Sequence, residues 1–408
     1  MVTFEPNKRL EELAGEGGFI WLEKGKDWER LSGHKAIHLE IGEPDFPTPS
    51  NIIDATISAL RDGKTKYTQV PGRYPLRKTI AEFLGKRRGV DIDPENILVS
   101  HGLKCIIRAV METLTDPENP KNTAFILPDP GYGPYIANAA YTGATTYAIP
   151  MDERNDWRFD QKVFRGIVEE IPEHLRKVVV LVSPSNPTGG VLTHEDIEFV
   201  ADLAKKHDMI VLSDEIYDDI VFEGEHNSIY SIPGMPERTC LLHGASKSWA
   251  MTGYRLGWGV FPKELTPYVE RLVGHSNSCV AEFVQYAGVE ALEGPQDAVS
   301  KMKEEYRKRR DYMVDALRGL GCYCAKPGGA FYVFPNVTDW VGKVGAKNDY
   351  VLAERLLNET GVICLPGGAF GRLGDNHVRF SLASSIENLR EAVGRIEKWL
   401  ALGGKSIF

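Results

Sequence analysis

Short apolar runs rich in β-branched residues recur through the middle of the chain, and each ends in a polar or glycine-rich turn. Four of them are TAFILPDPGY, VVVLVSPSNPTGG, DMIVLSDEIYDD and RTCLLHGASKS. Continuous apolar runs of this length are typical of strands that are buried on both faces. The pattern therefore predicts a largely parallel β-sheet.

A helical pattern separates the second of these runs from the third. In THEDIEFVADLAKKHD, Thr193 and Asp196 have the spacing of a capping box, and apolar residues follow at helical intervals. Two strands joined by such a helix form a β-α-β unit. Alternation of this kind from about residue 50 to about residue 290 predicts a doubly wound α/β domain with helices on both faces of the sheet.

The pattern changes after Pro295. An apolar stripe beside the charged run KEEYRKRRD predicts a long helix whose charged face lies in water. The strand-like runs AFYVFP, GVICLP and HVRFSLA follow, and a last helix is expected to begin at a capping box from Ser384 to Glu387. The expected divisions of the chain are an N-terminal arm and small-domain segment at 1–48, a large domain at 49–294 and a small α+β domain at 295–408.

Composition excludes several classes of protein. The 408 residues carry a formal net charge of −9 with dispersed basic residues, so the basic footprint of nucleic-acid-binding proteins is missing. The apolar runs are far shorter than the roughly 20 residues that cross a membrane. The first residues lack the basic head and apolar core of a signal peptide, which predicts a cytoplasmic location. No cysteine or histidine spacing indicates a metal site, so no metal is expected.

Four of the predicted strands end in side chains that can carry chemistry. Tyr132, Asn186, Asp214 and Lys247 each follow an apolar run. In open parallel sheets, ligands bind beyond the carboxyl ends of the strands, so these side chains should surround one site. Each residue alone would be ordinary in a turn, a cap or on the surface, but their shared placement predicts a ligand-binding centre.

The chain resembles the pyridoxal-phosphate-dependent aminotransferases of fold type I, class I/II, the aspartate aminotransferase-like group. The motifs that carry the resemblance are, in family order, GEPDF, KTKYTQVPG, PDPGY, SPSNPTG, SDEIY, GASKSWAMTGYRLGW, GAFY and VRFS. Together they cover nearly the whole chain and are very specific, whereas any one alone would be weak. The resemblance implies a large doubly wound domain that binds pyridoxal 5′-phosphate, a smaller α+β domain and transaminase activity.

The resemblance also implies how the cofactor ring is held. A cofactor that acts as an electron sink is tethered through a lysine imine, and Lys247 matches that lysine. A carboxylate keeps the ring nitrogen protonated, and Asp214 matches it. Asn186 and Tyr217 would donate to the ring oxygen, while Tyr132 would stack on the ring. The expected catalytic groups are therefore Lys247, Asp214 and Tyr217.

The cofactor phosphate calls for a helix N-terminus and a cation. The run SHGLKCIIRAV provides a strand end followed by a helix start, and MTGYRLGW provides an arginine in an apolar setting. In the family a tyrosine of the neighbouring subunit also reaches the phosphate, so the resemblance implies a homodimer with shared active sites. The expected phosphate-binding residues are Gly102, Leu103, Lys104, Ser246, Arg255 and, from the neighbouring subunit, Tyr67.

The substrate is expected to bind through its α-carboxylate. Arg379 occupies the family position for the planar, bidentate cation that this group requires. Gly42 would let its backbone approach the same carboxylate, and Asn186 would also contact the substrate. Phe331 would line the pocket, although core packing explains this residue nearly as well. Lys104 matches a lysine that binds an acidic substrate side chain in one branch of the family.

Three departures from the family pattern bear on cofactor and substrate binding. Gly244 stands where the family often has a phosphate-binding serine or threonine. The arginine that pairs with acidic substrates in another branch is not found in VGHSNSCVAEF. In the branch that uses a lysine such as Lys104, the accompanying threonine is replaced here by Phe19 or Ile20.

The sequence thus predicts ping-pong transfer of an amino group from an L-amino acid to a 2-oxo acid, with aspartate or glutamate and 2-oxoglutarate as the expected pair. Alternatives of the same fold are an aminotransferase for aromatic or other apolar amino acids and a β-lyase or decarboxylase. A non-catalytic ligand-binding protein on this scaffold is the alternative from another class. The intact set of Lys247, Asp214, Arg255 and Arg379 argues against that last alternative.

Overall fold

The computed structural model describes residues 8–11 and 17–408. Its strands are β1 (Ile37–His38), β2 (Ile97–His101), β3 (Thr123–Asp129), β4 (Thr145–Asp152), β5 (Arg158–Phe159), β6 (Arg176–Val182), β7 (Ile210–Asp214), β8 (Thr239–Gly244), β9 (Leu256–Val260), β10 (Tyr332–Val333), β11 (Val362–Ile363), β12 (Leu365–Pro366) and β13 (Val378–Ser381). Its α-helices are α1 (Lys8–Glu11), α2 (Gly17–Ser32), α3 (Ser50–Arg61), α4 (Tyr74–Arg88), α5 (Leu103–Leu114), α6 (Gly133–Thr142), α7 (Gln161–Glu170), α8 (His194–Lys206), α9 (Thr266–Ser276), α10 (Glu282–Glu293), α11 (Asp297–Gly319), α12 (Thr338–Val344), α13 (Asp349–Thr360) and α14 (Ile386–Ala401).

The largest sheet has eight strands in the order β2, β9, β8, β7, β6, β3, β4, β5. All neighbours from β8 to β4 are parallel. Strand β9 is antiparallel to both of its neighbours, and β5 is antiparallel to β4. The prediction of a largely parallel sheet is confirmed, so the carboxyl ends of β3, β6, β7 and β8 lie along one edge.

Side chains of the central strands alternate between two helical layers. On β3, Phe125 and Leu127 pack with α5, α6 and α9, whereas Ala124 and Ile126 pack with α7 and α8. A strand buried on both faces requires apolar residues at every position, which explains the continuous apolar runs in the sequence. The predicted doubly wound α/β arrangement is confirmed.

The predicted β-α-β unit consists of β6, α8 and β7. The Thr193 hydroxyl accepts from the Asp196 N–H at 3.2 Å, and the Asp196 carboxylate accepts from the Thr193 N–H at 3.0 Å. This reciprocal pair satisfies two backbone groups that have no partner inside the helix. The predicted capping box is therefore present and fixes where α8 begins.

The C-terminal part of the chain forms a second, smaller layer of sheet and helices. Strands β10 and β12 flank β13 in antiparallel pairing, and β1 pairs in parallel with β11. Trp21 and Trp28 of α2 share a core with α11, α13 and α14. The N-terminal segment thus packs on the C-terminal part, while the exact divisions after residues 48 and 294 stay predictions.

The charged run on α11 does not lie wholly in water, so this prediction is wrong in part. Arg309 and Arg310 are 5% and 1% exposed. Arg309 donates to Asp45 at 2.8 Å, and Arg310 donates to Glu223 at 3.0 Å and to the Pro327 carbonyl at 3.0 Å. Segments distant in sequence cover this face of the helix, and they supply the acceptors that buried guanidinium groups require.

The start of the last helix also differs from the prediction. Helix α14 begins one residue after Ser385, whose hydroxyl accepts from the Asn388 N–H at 3.2 Å. The Ser384 hydroxyl accepts instead from the Asn388 side chain at 3.1 Å. The prediction of a capping box from Ser384 to Glu387 is therefore wrong. Ser385 caps the helix instead, because its hydroxyl reaches the N–H of the third helical residue while that of Ser384 is bound by the Asn388 side chain.

Across residues 8–11 and 17–408, the structure has no helix that is long and apolar enough to cross a membrane.

Candidate active site

The Lys247 side chain lies beyond the carboxyl end of β8. Its Nζ donates to the Gly42 carbonyl and lies 5.9 Å and 5.7 Å from the ring centroids of Tyr217 and Phe331. Burial first, and then the positive charge of Arg379, lowers the pKa of the Lys247 ammonium to about 8. A larger fraction of this amine is therefore neutral near neutral pH than for an ordinary lysine, as a nucleophile or a general base requires.

Asp214 ends β7 and is 2% exposed. Its carboxylate accepts from the Tyr135 hydroxyl at 3.0 Å and from the Ile216 N–H at 3.2 Å. Burial raises its pKa to about 6, and these two hydrogen bonds oppose the rise. Within the described residues this carboxylate has no ion-pair partner, so a protonated ring nitrogen fits the site by supplying the missing positive charge.

The N-terminus of α5 and the Arg255 side chain form a cradle that suits an anion. A Cβ at Gly102 would lie 2.7 Å from Arg255 Nη2. A Cβ at Gly257 of β9 would lie 2.7 Å from the Leu103 nitrogen. Glycine at both positions therefore lets the strand, the helix start and the guanidinium approach closely, and helix N–H groups with a cation favour a phosphate.

The same close packing explains Gly244, the departure from the family pattern. A Cβ at Gly244 would lie 2.9 Å from the Leu256 carbonyl oxygen and 3.0 Å from Gly257 Cα. No side chain fits between β8 and β9 at this position. Ser246, another residue predicted to bind the phosphate, is half-buried next to Lys247.

Arg379 on β13 is 5% exposed and held on several sides. It donates to Asn186 Oδ1 at 2.9 Å and to the Glu40 carbonyl. Its guanidinium carbon lies 4.4 Å from the Tyr332 ring centroid and 5.1 Å from that of Phe370. Its Nε is buried with no hydrogen-bond partner among the described residues, so a donor remains for a ligand carboxylate.

Tyr332 and Tyr135, which were not predicted from the sequence, lie in the centre. The Tyr332 hydroxyl oxygen is 2.7 Å from that of Tyr217. Tyr135, which donates to Asp214, also packs against Tyr132, with ring centroids 6.2 Å apart at 71°. Their signals were available, because Tyr135 follows Tyr132 by three residues at the start of a helix and Tyr332 belongs to GAFY.

Other predicted residues lie at the edge of the centre or outside it. Phe331 is fully buried in the core, and its ring centroid lies 5.7 Å from Lys247 Nζ, while its contact with the substrate stays a prediction. The Lys104 ammonium lies 5.9 Å from the Phe19 ring centroid, so Phe19 is one of its neighbours. Tyr67 is 92% exposed in the single chain.

Comparison with known proteins identifies the family. The model of the family described as aminotransferase class I and II matches residues 34–396. The chain belongs to this family. An aspartate aminotransferase of Pyrococcus horikoshii is 38% identical over 368 residues, which cover 89% of this chain and 90% of that protein. An aromatic-amino-acid aminotransferase of Thermococcus litoralis is 36% identical over 372 residues, with coverages of 89% and 91%.

Solved structures agree with this assignment. The aspartate aminotransferase of Thermus thermophilus with maleate has a TM-score of 0.89 at 32% identity, covering 97% of this chain and 100% of that one. The prediction of a pyridoxal-phosphate-dependent aminotransferase of fold type I, acting on amino acids and 2-oxo acids, is confirmed. The amino donor has to be inferred from the side chains of the pocket, because relatives of similar identity are named for aspartate and for aromatic amino acids.

We expect Tyr135→Phe to destabilise the cofactor-free enzyme more at pH 8 than at pH 5. The pKa of Asp214 is about 6, so Tyr135 donates to a charged carboxylate at pH 8 and to a mostly neutral one at pH 5. Its removal should lower the free energy of unfolding by about 1.5 to 3 kcal/mol at pH 8 and by about 0.5 to 1.5 kcal/mol at pH 5. Urea denaturation at a fixed protein concentration measures both values.

Tyr230→Phe is the matched control, because Tyr230 is buried in a different cluster, with α4 and α10. The decrease in the free energy of unfolding caused by Tyr230→Phe should be the same at pH 5 and at pH 8. Equal losses at pH 5 and pH 8 for Tyr135→Phe would contradict the assignment of this hydroxyl to the Asp214 carboxylate.

Proposed function

We propose that this aminotransferase works by a ping-pong mechanism in which Lys247 binds the cofactor and moves the substrate α-proton. The observation that carries the proposal is the buried Lys247 amine, which has a pKa of about 8 and follows β8. Asp214 lies at the end of the neighbouring strand β7, Asn186 follows the next strand, β6, and Arg379 of β13 donates to Asn186. Pyridoxal 5′-phosphate, when bound, supplies an electron sink for the substrate α-carbon. As the neutral amine, Lys247 takes the proton from that carbon, and as the ammonium it would deliver the same proton to the cofactor carbon that carries the nitrogen.

Different residues bind different parts of the cofactor ring. Asp214 keeps the ring nitrogen protonated, because its buried carboxylate gains a counter-charge from that proton. Asn186 and Tyr217 donate to the ring oxygen, and Tyr132 stacks on the ring. The buried positions of Asp214, Asn186 and Tyr217 support these roles, because each side chain ends where water is excluded.

The phosphate and the substrate carboxylate bind at opposite ends of the centre. The backbone of Gly102, Leu103 and Lys104, with Ser246 and Arg255, holds the phosphate. The substrate α-carboxylate binds to Arg379, Asn186 and the backbone of Gly42. This division is supported by the cradle at the start of α5 and by the free Nε of the buried Arg379.

A homodimer with shared active sites completes the phosphate site. Tyr67 is 92% exposed in the single chain, as expected of a side chain that serves a neighbouring subunit. Helix α3 also exposes Ile53, Ile57 and Leu60, which lie on one face at helical spacing. A second copy that covers this stripe would bury it and bring Tyr67 to the neighbouring phosphate. The cytoplasmic location stays a prediction from the sequence.

The substrate pair we propose is aspartate or glutamate with 2-oxoglutarate. Lys104 lies in the first turn of α5, where a cation opposes the helix dipole, and its charge also lowers the pKa of Lys247. Lys104 therefore lies close enough to Lys247 for its charge to be felt there, and we infer that it contacts the distal carboxylate of the substrate. The Thermus thermophilus relative was solved with maleate, a dicarboxylate. The Phe19 ring beside Lys104 favours the alternative, an aromatic or other apolar donor.

Replacing Lys247 with Ala should abolish transamination and the absorbance of the lysine imine, because that imine can then not form. Lys177→Ala is the control, since Lys177 is a buried lysine near the amino end of β6. The control should keep both signals. Wild-type turnover and absorbance in Lys247→Ala would refute the central assignment.

Mixed dimers of Lys247→Ala chains with Tyr67→Phe chains test the shared site. If Tyr67 serves the neighbouring subunit, each mixed dimer has one site with both changes and one with neither, so half of the sites should turn over at the wild-type rate per site. Each parent homodimer should be impaired. If Tyr67 served its own subunit, every site would carry one change and no intact site could form.

Lys104→Met should reduce the catalytic efficiency on aspartate at least about ten-fold and leave that on phenylalanine unchanged. Lys104→Arg keeps the charge and should retain most of the activity on aspartate. Steady-state kinetics with both donors decide between the roles. Equal losses on both donors would assign Lys104 to the phosphate, and no loss on either would remove the basis for an acidic substrate.

A further inference from the structure

We propose that Tyr332 is a positioning residue that acts on both sides of the centre. Its hydroxyl orients the Tyr217 hydroxyl towards the cofactor ring oxygen, and its ring supports the Arg379 guanidinium for the substrate carboxylate. The proposal rests on the functions proposed above for Tyr217 and Arg379.

The Tyr332 hydroxyl lies in a closed space. It is 2.7 Å from the Tyr217 hydroxyl, and the two residues are 1% and 3% exposed. On its other side it packs against Gly42, where even a Cβ would collide with the Tyr332 oxygen. Water therefore does not compete for this hydroxyl, and Tyr217 is its available side-chain partner among the described residues.

A pair of buried phenols shares its protons in a defined way. Burial raises the pKa of Tyr217 and of Tyr332, so both hydroxyls stay protonated. Only one of the two protons can lie between the two oxygens. When Tyr332 donates to Tyr217, the proton of Tyr217 is left to point elsewhere, and the ring oxygen is the acceptor that the proposed function provides.

The position of the Tyr332 ring follows from strand pairing. Strand β10 places Tyr332 opposite Ser381 of β13, and Arg379 lies two residues earlier on the same face of β13. Tyr332 and Arg379 are thus diagonal neighbours, a spacing that aromatic and long side chains can bridge. The guanidinium carbon lies 4.4 Å from the ring centroid, where the negative face of the ring stabilises the cation.

The test compares holoenzymes that separate the hydroxyl from the ring. Tyr332→Phe removes only the hydroxyl, and Tyr332→Leu removes the ring as well. Tyr306→Phe is the matched control, because Tyr306 is fully buried one ring away, with its centroid 5.0 Å from that of Phe331. The readouts are the pKa of the visible absorbance of the bound cofactor and the KM and kcat for the amino donor.

Tyr332→Phe should raise the absorbance pKa by roughly 0.5 to 1 unit and leave KM within about two-fold. The rise is expected because a donor to the ring oxygen competes with the proton that this oxygen shares with the lysine nitrogen. Tyr217→Phe should raise the same pKa, and adding Tyr332→Phe to it should cause no further rise. Tyr306→Phe should leave the absorbance pKa and KM unchanged.

Tyr332→Leu should in addition raise KM about ten-fold, because Arg379 loses its support. If this variant does not fold, Tyr332→Phe and the double variant still decide the role of the hydroxyl. Two results would overturn the proposed coupling of Tyr332 to Tyr217 and leave the role of Tyr217 intact. One is additive pKa shifts in the double variant, and the other is a shift in Tyr217→Phe without a shift in Tyr332→Phe. No shift in Tyr217→Phe would overturn the proposed role of Tyr217 and this proposal with it.

Discussion

The charge on Asp214 is the constraint on which the active site depends. Its neighbours Glu215 and Asp218 are equally buried, but Arg88 donates to both at 2.9 Å and 2.6 Å. Arg88, followed by His226, holds the pKa of Glu215 at about 2, although burial opposes the shift. His243, followed by Arg87 and Arg88, holds the pKa of Asp218 well below its usual range, again against burial. Asp218 also accepts from His243 at 2.8 Å. Three buried carboxylates therefore lie at or just after the end of β7. Asp214 is the one whose pKa lies above its usual range, because no ion-pair partner among the described residues offsets the effect of burial there.

This contrast explains how the segment SDEIYD (residues 213–218) is fixed by ion pairs and still offers one carboxylate, that of Asp214, to a ligand. The ion pairs of Glu215 and Asp218 fix the backbone on both sides of Tyr217 to the end of α4. Asp214 has hydrogen bonds but no ion-pair partner within the described residues, so the protonated ring that we propose to bind there would lower the cost of its burial. Folding and cofactor binding thus share one network.

The sequence predicted those features that depend on residues close together in the chain. The apolar runs before Asp214 and Lys247 determine two strands, and their parallel pairing determines that both side chains meet at one edge. The burial of Arg309 could not be predicted, because its acceptor Asp45 lies 264 residues away. The GAFY motif could have identified Tyr332, but its contact with Arg379 follows from its pairing opposite Ser381 and could not be predicted.

The contacts of the segment that begins at Gly42 have a mechanical consequence. Its first residue accepts a hydrogen bond from Lys247, Asp45 is paired with Arg309 of α11, and the Thr48 hydroxyl donates to the Ala250 carbonyl at 2.6 Å. The segment is thus attached to α11 at Asp45 and to the loop after β8 at Thr48, so a displacement of α11 relative to the large sheet would pull on it. A displacement of the C-terminal layer would therefore be transmitted to the residues next to Lys247.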